Sequence, residues 1–511
     1  MKVFALNRML LGSVWLVTVL ATAGCSLAPT YLKPNVSMPP AYKEEKVQEP
    51  RTALSAAEAG SWKTAEPSEE VARGDWWAVF KDPTLNSLEN QAASANQNLA
   101  AATARLNEAR ALNVAARAGL FPTLDAGIGP TRQKVSGASQ GLSNSANVPA
   151  QTLWRAQAGI SYEVDMFGRV ANTVEAAKDD MQQSEALFRS VHLALQADVA
   201  QNYFALREYD AEAKVFADSV ALREQTLKLV QQRYDMGEIS ELDLARAQSE
   251  LASARSESMT VERLRATSEH SLAVLLGKAP AEFSIAPNPL VAVNLRIPAG
   301  LPSSLLERRP DIAAAERAMA AANARIGVAK AAFFPSLTLT GVGGFESDSL
   351  GSLFKWSSRT FLLGPLTGTA LNLPIFDGAK RKGDLANARA VYEENVATYR
   401  QQVLVAFQEV EDGLSDLRIF EDQTRTQAEA VDAAARAAQL SRAQYNEGAV
   451  NYLDVIDAER TVLQSRRTAV QLQGLQAAST INLIRALGGG WGDVVPVKEA
   501  LKVSQKSMMG H

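Results

Sequence analysis

Residues 233–255 read RYDMGEISELDLARAQSELASAR, and residues 444–466 read QYNEGAVNYLDVIDAERTVLQSR. Tyr234, Gly237, Leu242, Asp243, Ala247 and Arg255 return as Tyr445, Gly448, Leu453, Asp454, Ala458 and Arg466, each displaced by 211 (445 − 234). A second phrase, Leu120-Phe121-Pro122-Thr123-Leu124, returns as Phe333-Phe334-Pro335-Ser336-Leu337, displaced by 213 (334 − 121). One architectural unit is therefore duplicated, and the 511 residues read as one body of two similar halves.

Each half reads helix, hairpin, long helix, tight turn, helix. The first repeat covers 83–276: a helix from Pro83 to about Gly119, a hairpin over 121–165, a long helix over 170–235 and a return helix over 240–276. The second covers 310–487: a helix, a hairpin over 335–373 with strands Leu337–Phe345 and Phe361–Leu373, a long helix over 379–446 and a return helix over 451–487. The segments 25–82, 277–309 and 488–511 link or flank them. The long helices carry few breakers, only Gly383 and Gly413 in the second. Their apolar and alanine positions spread over more than one stripe, as neighbours on both flanks require. Each ends at a glycine, Gly237 or Gly448, which supplies a left-handed cap. Ser240 with Asp243 and Asn451 with Asp454 resemble capping boxes for the return helices.

In the first hairpin Trp154, Ala156, Ala158, Ile160, Tyr162 and Val164 alternate with Arg155, Gln157, Gly159, Ser161, Glu163 and Asp165. Strict period-2 alternation makes one apolar and one polar face. In a membrane barrel the apolar face meets lipid and the polar face lines water, and the run is long enough to span. A polar loop from Ser136 to Pro149 separates its strands, and Pro365 interrupts the last strand of the second hairpin. Four strands cannot close a barrel, and an open edge in lipid leaves backbone groups unpaired at several kcal/mol each. Copies of the chain remove the edge; two would give about 8 strands and three about 12, enough for a lumen.

The N-terminus carries an export address: Lys2 and Arg8, an apolar run from Met9 to Leu20, then Ala21-Thr22-Ala23-Gly24-Cys25-Ser26. The run is too short to span a bilayer as a helix. It reads as a signal peptide over 1–24, and the following residues resemble the lipobox of bacterial lipoproteins, with Thr22 in place of the usual leucine. Cys25, the only cysteine, is then the lipidated first mature residue, and Ser26 after it fits sorting to the outer membrane. The prolines at 29, 34, 39 and 40 make the leader extended.

Further phrases complete the pattern: Asp75-Trp76-Trp77 with Phe80 and Asp82-Pro83, Tyr162-Glu163-Val164-Asp165-Met166-Phe167-Gly168-Arg169, Leu305-Leu306-Glu307-Arg308-Arg309-Pro310-Asp311-Ile312, Pro374-Ile375-Phe376-Asp377-Gly378 and Ala486-Leu487-Gly488-Gly489-Gly490-Trp491. Together and in this order they resemble the TolC-type outer-membrane factors, in their lipoprotein branch of the OprM or NodT type. The resemblance spans nearly the whole mature chain. It implies a mainly α fold with membrane β: a homotrimer with a 12-stranded outer-membrane barrel continuing into a periplasmic α-helical barrel, girdled by segments 35–80, 277–305 and 488–511. It also implies a passive exit duct that docks on a periplasmic adaptor and an inner-membrane pump, commonly of the proton-driven resistance-nodulation-division class. A type I secretion duct is the alternative within the family.

A duct of this kind closes at the turns of its long helices. Carried over by motif, the gate comprises Tyr445, Leu453, Asp454, Asp457 and Arg460 from the second repeat and Leu242 and Asp243 from the first. Val450 occupies the position of one family gating arginine. Asp243 and Asp454 also suit plain capping, and Asp457 suits an i,i+3 pair with Arg460. The turns at Gly237 and Gly448 present backbone and small side chains suited to adaptor docking.

The composition speaks against other classes. Net charge is −4, which offers nothing to nucleic acid. The 3 histidines stand in no metal-ligand or triad spacing, the 10 methionines are scattered, and no phosphate loop follows a strand, so no catalytic, metal or cofactor site is expected. His192 reads as a packed or groove-facing helix residue, and Gly488-Gly489-Gly490 as a flexible joint. A lipid-anchored periplasmic scaffold without a pore explains Cys25 and the helices but not the paired hairpins.

Overall fold

The computed structural model describes residues 26–35, 39, 41–44, 75–136, 149–291, 305–364 and 371–489. The signal segment 1–24, Cys25 and the tail from 490 lie outside these residues.

The duplication is explicit in the element lengths. Helix α2 (Gln97–Ala118) and helix α6 (Pro310–Ala331) each have 22 residues. The long helices α3 (Arg169–Asp235) and α7 (Lys380–Asn446) each have 67, or about 100 Å at 1.5 Å per residue. The return helices α4 (Glu241–Leu275) and α8 (Tyr452–Ala486) each have 35. Before them come a 3-10 turn (Trp76–Phe80) and helix α1 (Pro83–Ala95), and a one-turn helix α5 (Leu305–Arg308) precedes α6.

The helix read as continuous from Pro83 to Gly119 is broken. Asn96 leaves helical geometry at φ −67° and ψ 126°. Its side-chain oxygen accepts from Leu99 N at 3.0 Å, capping α2, while its amide donates to Leu275 O at 2.9 Å. The second repeat breaks at the equivalent place, Arg309, just before Pro310. There the Arg309 guanidinium donates to Ala486 O at 3.0 Å, and Ala486 is Leu275 displaced by 211 (486 − 275). Both kinks serve the same purpose: a side chain at the break satisfies the last carbonyls of the return helix.

The chain divides into two compact units that do not follow the repeats, since each repeat contributes to both. The first contains Leu106–Ser184 and Ala315–Tyr399, and with them the sheet. Strand β1 (Thr123–Gln133) pairs antiparallel with β2 (Gln151–Val164), and β2 with β3 (Ser336–Ser347); β3 then carries β4 (Arg359–Leu363) and the short β5 (Leu371–Asn372). The strand read as Phe361–Leu373 is thus in two pieces. Gly341 faces Leu363 and Leu337 faces Leu371, so eight residues (371 − 363) answer four on β3 (341 − 337), and the register shifts by four between β4 and β5. Pro365 lies in that stretch, outside the described residues.

The described leader lies against this unit. Ser26 Oγ donates to Asn172 Oδ1 at 3.1 Å, Asn323 Nδ2 donates to Pro29 O at 2.8 Å, and Tyr31 OH donates to Glu316 Oε1 at 3.2 Å. A side chain at Gly327 would collide with Ala28 and Asn172, so glycine permits the approach.

The second unit holds the main core. Trp76, Trp77, Leu85, Leu88 and Ala92 pack on Leu195, Val199, Tyr203 and Phe204 of α3, on Leu272 and Leu276, and on Ile481 and Ile484 of α8. Ala197, Val199, Ala200, Tyr203, Phe204 and Leu206 are all buried. Such a run cannot lie on one stripe, so α3 is covered on several flanks here.

Candidate functional site

Two features could carry function: the sheet and the paired helical turns.

The register places the alternating apolar positions of the first hairpin on one face; Leu153, opposite Thr131, is the exception. Leu124, Ala126, Ile128 and Pro130 of β1 face Ile160, Ala158, Ala156 and Trp154 of β2. On the other side of β2, Tyr162 and Val164 face Leu339 and Leu337, and Ala156 faces Phe345. Gly341 and Gly343 continue to Leu363 and Phe361. This face is open: Leu124, Ile128, Phe361 and Leu363 are 78%, 68%, 79% and 80% exposed. Among the described residues Phe354 meets this face at Phe345, ring centres 5.6 Å apart, and the rest is a contiguous, largely open apolar face that suits lipid. The opposite face carries charge and hydroxyls. Arg155 Nε lies 2.7 Å from Glu346 Oε2, with Thr131 beside it, and Arg169 Nε lies 2.7 Å from Glu163 Oε1. Among the described residues β1 and β4 each pair on one side only, which leaves both edges unfilled.

Both long helices close in the same hydrogen-bonded cap. Glu238 N donates to Arg233 O and Gly237 N to Tyr234 O; Ala449 N donates to Gln444 O and Gly448 N to Tyr445 O, all at 2.9–3.1 Å. Gly237 and Gly448 stand at φ 73° and 74°, the left-handed position of a Schellman motif. The return helices end likewise, with Gly277 at φ 68° and Gly488 at φ 83°. Gly488 is therefore a helix cap packed against the Arg308 carbonyl, not the start of a flexible joint.

The two turns form one cluster. Val230, Leu244, Ala247, Tyr445, Tyr452, Val455 and Ile456 are buried together, with Leu227, Ile239 and Val450 against them. Tyr445 and Tyr452 lie 5.4 Å apart, and the Arg233 guanidinium sits 5.0 Å over the Tyr445 ring. Tyr445, expected at the gate, faces inward. Leu453, Leu242, Asp457 and Arg460 face outward: Leu242 is 57% exposed, and the side chain of Asp457 63%. Val450 makes an apolar contact on this cluster. Asp454 completes a capping box with Asn451, its carboxylate accepting from Asn451 N at 3.1 Å. The first-repeat box is only half formed: Asp243 N donates to Ser240 Oγ at 3.4 Å, and the Asp243 carboxylate accepts from the Ser240 hydroxyl rather than from its backbone.

Sequence reading missed the charge that joins the helices. Glu250 of α4 is buried and accepts from Arg223 of α3 at 2.9 Å and from Arg460 of α8. Arg223 also donates to Glu250 O at 2.7 Å. The i,i+3 pair of Arg460 with Asp457 forms as well, at 3.7 Å and exposed. Glu459 binds Arg442 of α7. The residue equivalent to Glu250 in the second repeat is Thr461, so the repeat gives no hint of it.

His192 packs on Phe188, its ring stacked at 6.3 Å, and contacts Gln196; burial holds its pKa below the ordinary histidine value. Among the described residues no helix is long and apolar enough to cross a membrane.

The family model of the outer membrane efflux protein matches residues 88–278 and 301–489. The chain is 33% identical over 478 residues to the toluene efflux pump outer membrane protein TtgF of Pseudomonas putida, covering 93% of this chain and 96% of that one. It is 32% identical over 475 residues to the cation efflux system protein CusC of Escherichia coli O157:H7, covering 92% and 97%. The solved outer-membrane channel OprN superposes with a TM-score of 0.80 at 28% identity, over 91% of this chain and 100% of that one. Sheet, turns and relatives agree: the chain belongs to the outer membrane efflux protein family and is an outer-membrane efflux channel with the TolC-type fold, a transport duct and not an enzyme.

Proposed function

We propose that the protein is the exit duct of a tripartite efflux assembly, a lipid-anchored homotrimer that receives cargo from an inner-membrane pump through a periplasmic adaptor. The observation that carries this reading is the open sheet, apolar on one face, charged on the other and, among the described residues, unpaired at both edges. Three copies give about 12 strands and a water-filled lumen lined by the Arg155–Glu346 face. Transport through it is passive, and cargo is chosen by the pump. The relatives fit that division, since one is named for toluene and another for cations. Their naming as efflux proteins favours efflux over type I secretion. The pump is taken to be of the proton-driven resistance-nodulation-division class.

Lipidation at Cys25 is supported by its neighbour. Ser26 is bonded to Asn172, eight residues past the end of β2 (172 − 164). A lipid on the adjacent residue would thus reach the bilayer surface next to the barrel.

The turns form the periplasmic gate and the adaptor contact. Leu242, Asp243, Leu453, Asp454, Asp457 and Arg460 meet their copies around the axis, while Tyr445 sets the helix packing behind them. Like charges from three copies of Asp457 repel and draw cations. Gly237 and Gly448 offer the adaptor a surface free of side chains. Deleting the chain tests the function: cells should accumulate more of an organic dye or antibiotic, and re-expression should reverse it. Unchanged accumulation for every pump substrate would contradict the reading.

A further inference from the structure

The duplication fixes how one copy meets the next. Inside the chain the repeats meet along β2 and β3, where Ile160 faces Gly341, Tyr162 faces Leu339 and Val164 faces Leu337. Just beyond the strand ends Phe167 stacks on Phe334, ring centres 4.7 Å apart and planes 25° off parallel. The first-repeat equivalent of β3 is β1, displaced by 213 (336 − 123). The second-repeat equivalent of the end of β2 is β5. Ser161 pairs with Thr123 and Asn372 with Ser336, so that displacement is 211 (372 − 161).

Applying both displacements to the internal seam gives the external one. Resting on the trimeric reading above, we infer that Leu371, Leu373 and Ile375 of one copy lie opposite Ile128, Ala126 and Leu124 of the next, with Phe376 against Phe121.

The two displacements come from different strands, yet together they set apolar residue against apolar residue at all three positions. A slip by one residue would place Leu373 opposite Leu124's polar neighbour Asp125 and reverse the faces. The exposure fits as well. Leu371, Leu373, Ile375 and Phe376 are 54%, 52%, 91% and 89% exposed in the single chain, and Phe121 is 68%. Their internal counterparts are all less exposed, Ile160 at 48%, Phe334 at 41%, and Tyr162, Val164 and Phe167 half-buried, because there the neighbour is already present. The second repeat has one residue fewer between strand end and helix glycine: Gly168 answers Gly378, displaced by 210 (378 − 168). Asp377 stands directly before Gly378 where Phe167 precedes Gly168, so the junction aromatic is one further residue back, Phe376, displaced by 209 (376 − 167). Pro374, opposite Asp125 in this register, offers no N–H to the ladder.

Cysteine pairs test the register in outer membranes. Leu124→Cys with Ile375→Cys, and Ala126→Cys with Leu373→Cys, should oxidise to covalent dimers and trimers on a denaturing gel. Leu124→Cys with Leu371→Cys should not, since four residues of strand are about 13 Å and a disulfide needs Cα atoms within about 7 Å. β1 and β5 of one chain are separated by β2 and β3, so every link formed is between copies. The unmodified protein, with Cys25 alone, is the background. Two registered pairs are used so that one decides if the other fails to insert. Links in the shifted pair instead, or none in any pair while the heat-sensitive trimer persists, would overturn the register. Absence of any oligomer in the unmodified protein would sink the trimeric reading first, and the same gel separates the two failures.

Discussion

Arg460 of the second repeat is ion-paired to Glu250 of the first, and the Glu250 side chain is only 10% exposed. Arg223 holds the same carboxylate from α3 at 2.9 Å. One buried acid thus ties three helices near the turns. Replacing Glu250 with alanine leaves the buried Arg223 charge with only the backbone oxygen of position 250 as partner, a loss of roughly 3–5 kcal/mol for a buried pair. Glu250→Ala is expected to lower the thermal midpoint and loosen the turns, read as greater permeability to large antibiotics. An unchanged midpoint would contradict the tie.

Asp457 is the contrasting case. Its pair with Arg460 is long and exposed, worth a few tenths of a kcal/mol at most. Asp457→Ala should therefore leave stability alone and still make the closed duct leakier in a vancomycin-sensitivity assay. Unchanged sensitivity would remove Asp457 from the gate.

At Gly237 and Gly448 a side chain would meet nothing within 4 Å of its Cβ. Substitution costs only the left-handed backbone, about 1–2 kcal/mol. Valine or tryptophan there should keep the trimer and abolish co-purification with the adaptor, while asparagine, which tolerates that backbone, should be milder. Full adaptor recovery with tryptophan at both positions would reject the docking role.

Glu208 of α3 lies against Gly474 of α8, close enough that a methyl at 474 would overlap its carboxylate. Burial, and then the charge of Glu212, push its pKa from 4.5 up to about 7. The folded state thus binds this proton more tightly than the unfolded chain. The resulting stability is fully present below about pH 4.5 and is lost as pH rises through 7. Glu208→Gln should raise the unfolding free energy at pH 8 by on the order of 2 kcal/mol, read as a higher thermal midpoint, and change little at pH 4. A variant equally shifted at both pH values would show that the proton is not involved.

The repeat made the helix lengths, glycine turns and strand alternation legible, because each depends on local pattern. The break at Asn96 was missed because no proline marks it, although its displaced partner Arg309-Pro310 does. The split of the last strand depends on a register difference against β3, which only pairing reveals. The Glu250 tie was illegible for a similar reason: its arginines come from another helix of the same repeat and from the other repeat. Identical residues also diverge. Arg255 pairs with Glu224 at 2.7 Å, but the equivalent of Glu224 beside Arg466 is Ala435.

The most direct measurement is the mass and conductance of the detergent-extracted, lipidated protein. Native mass spectrometry should give three chains that fall to one on heating, and the same sample should open discrete channels in a planar bilayer. A stably folded single chain that conducts no ions would contradict the claim that each chain supplies one third of a wall.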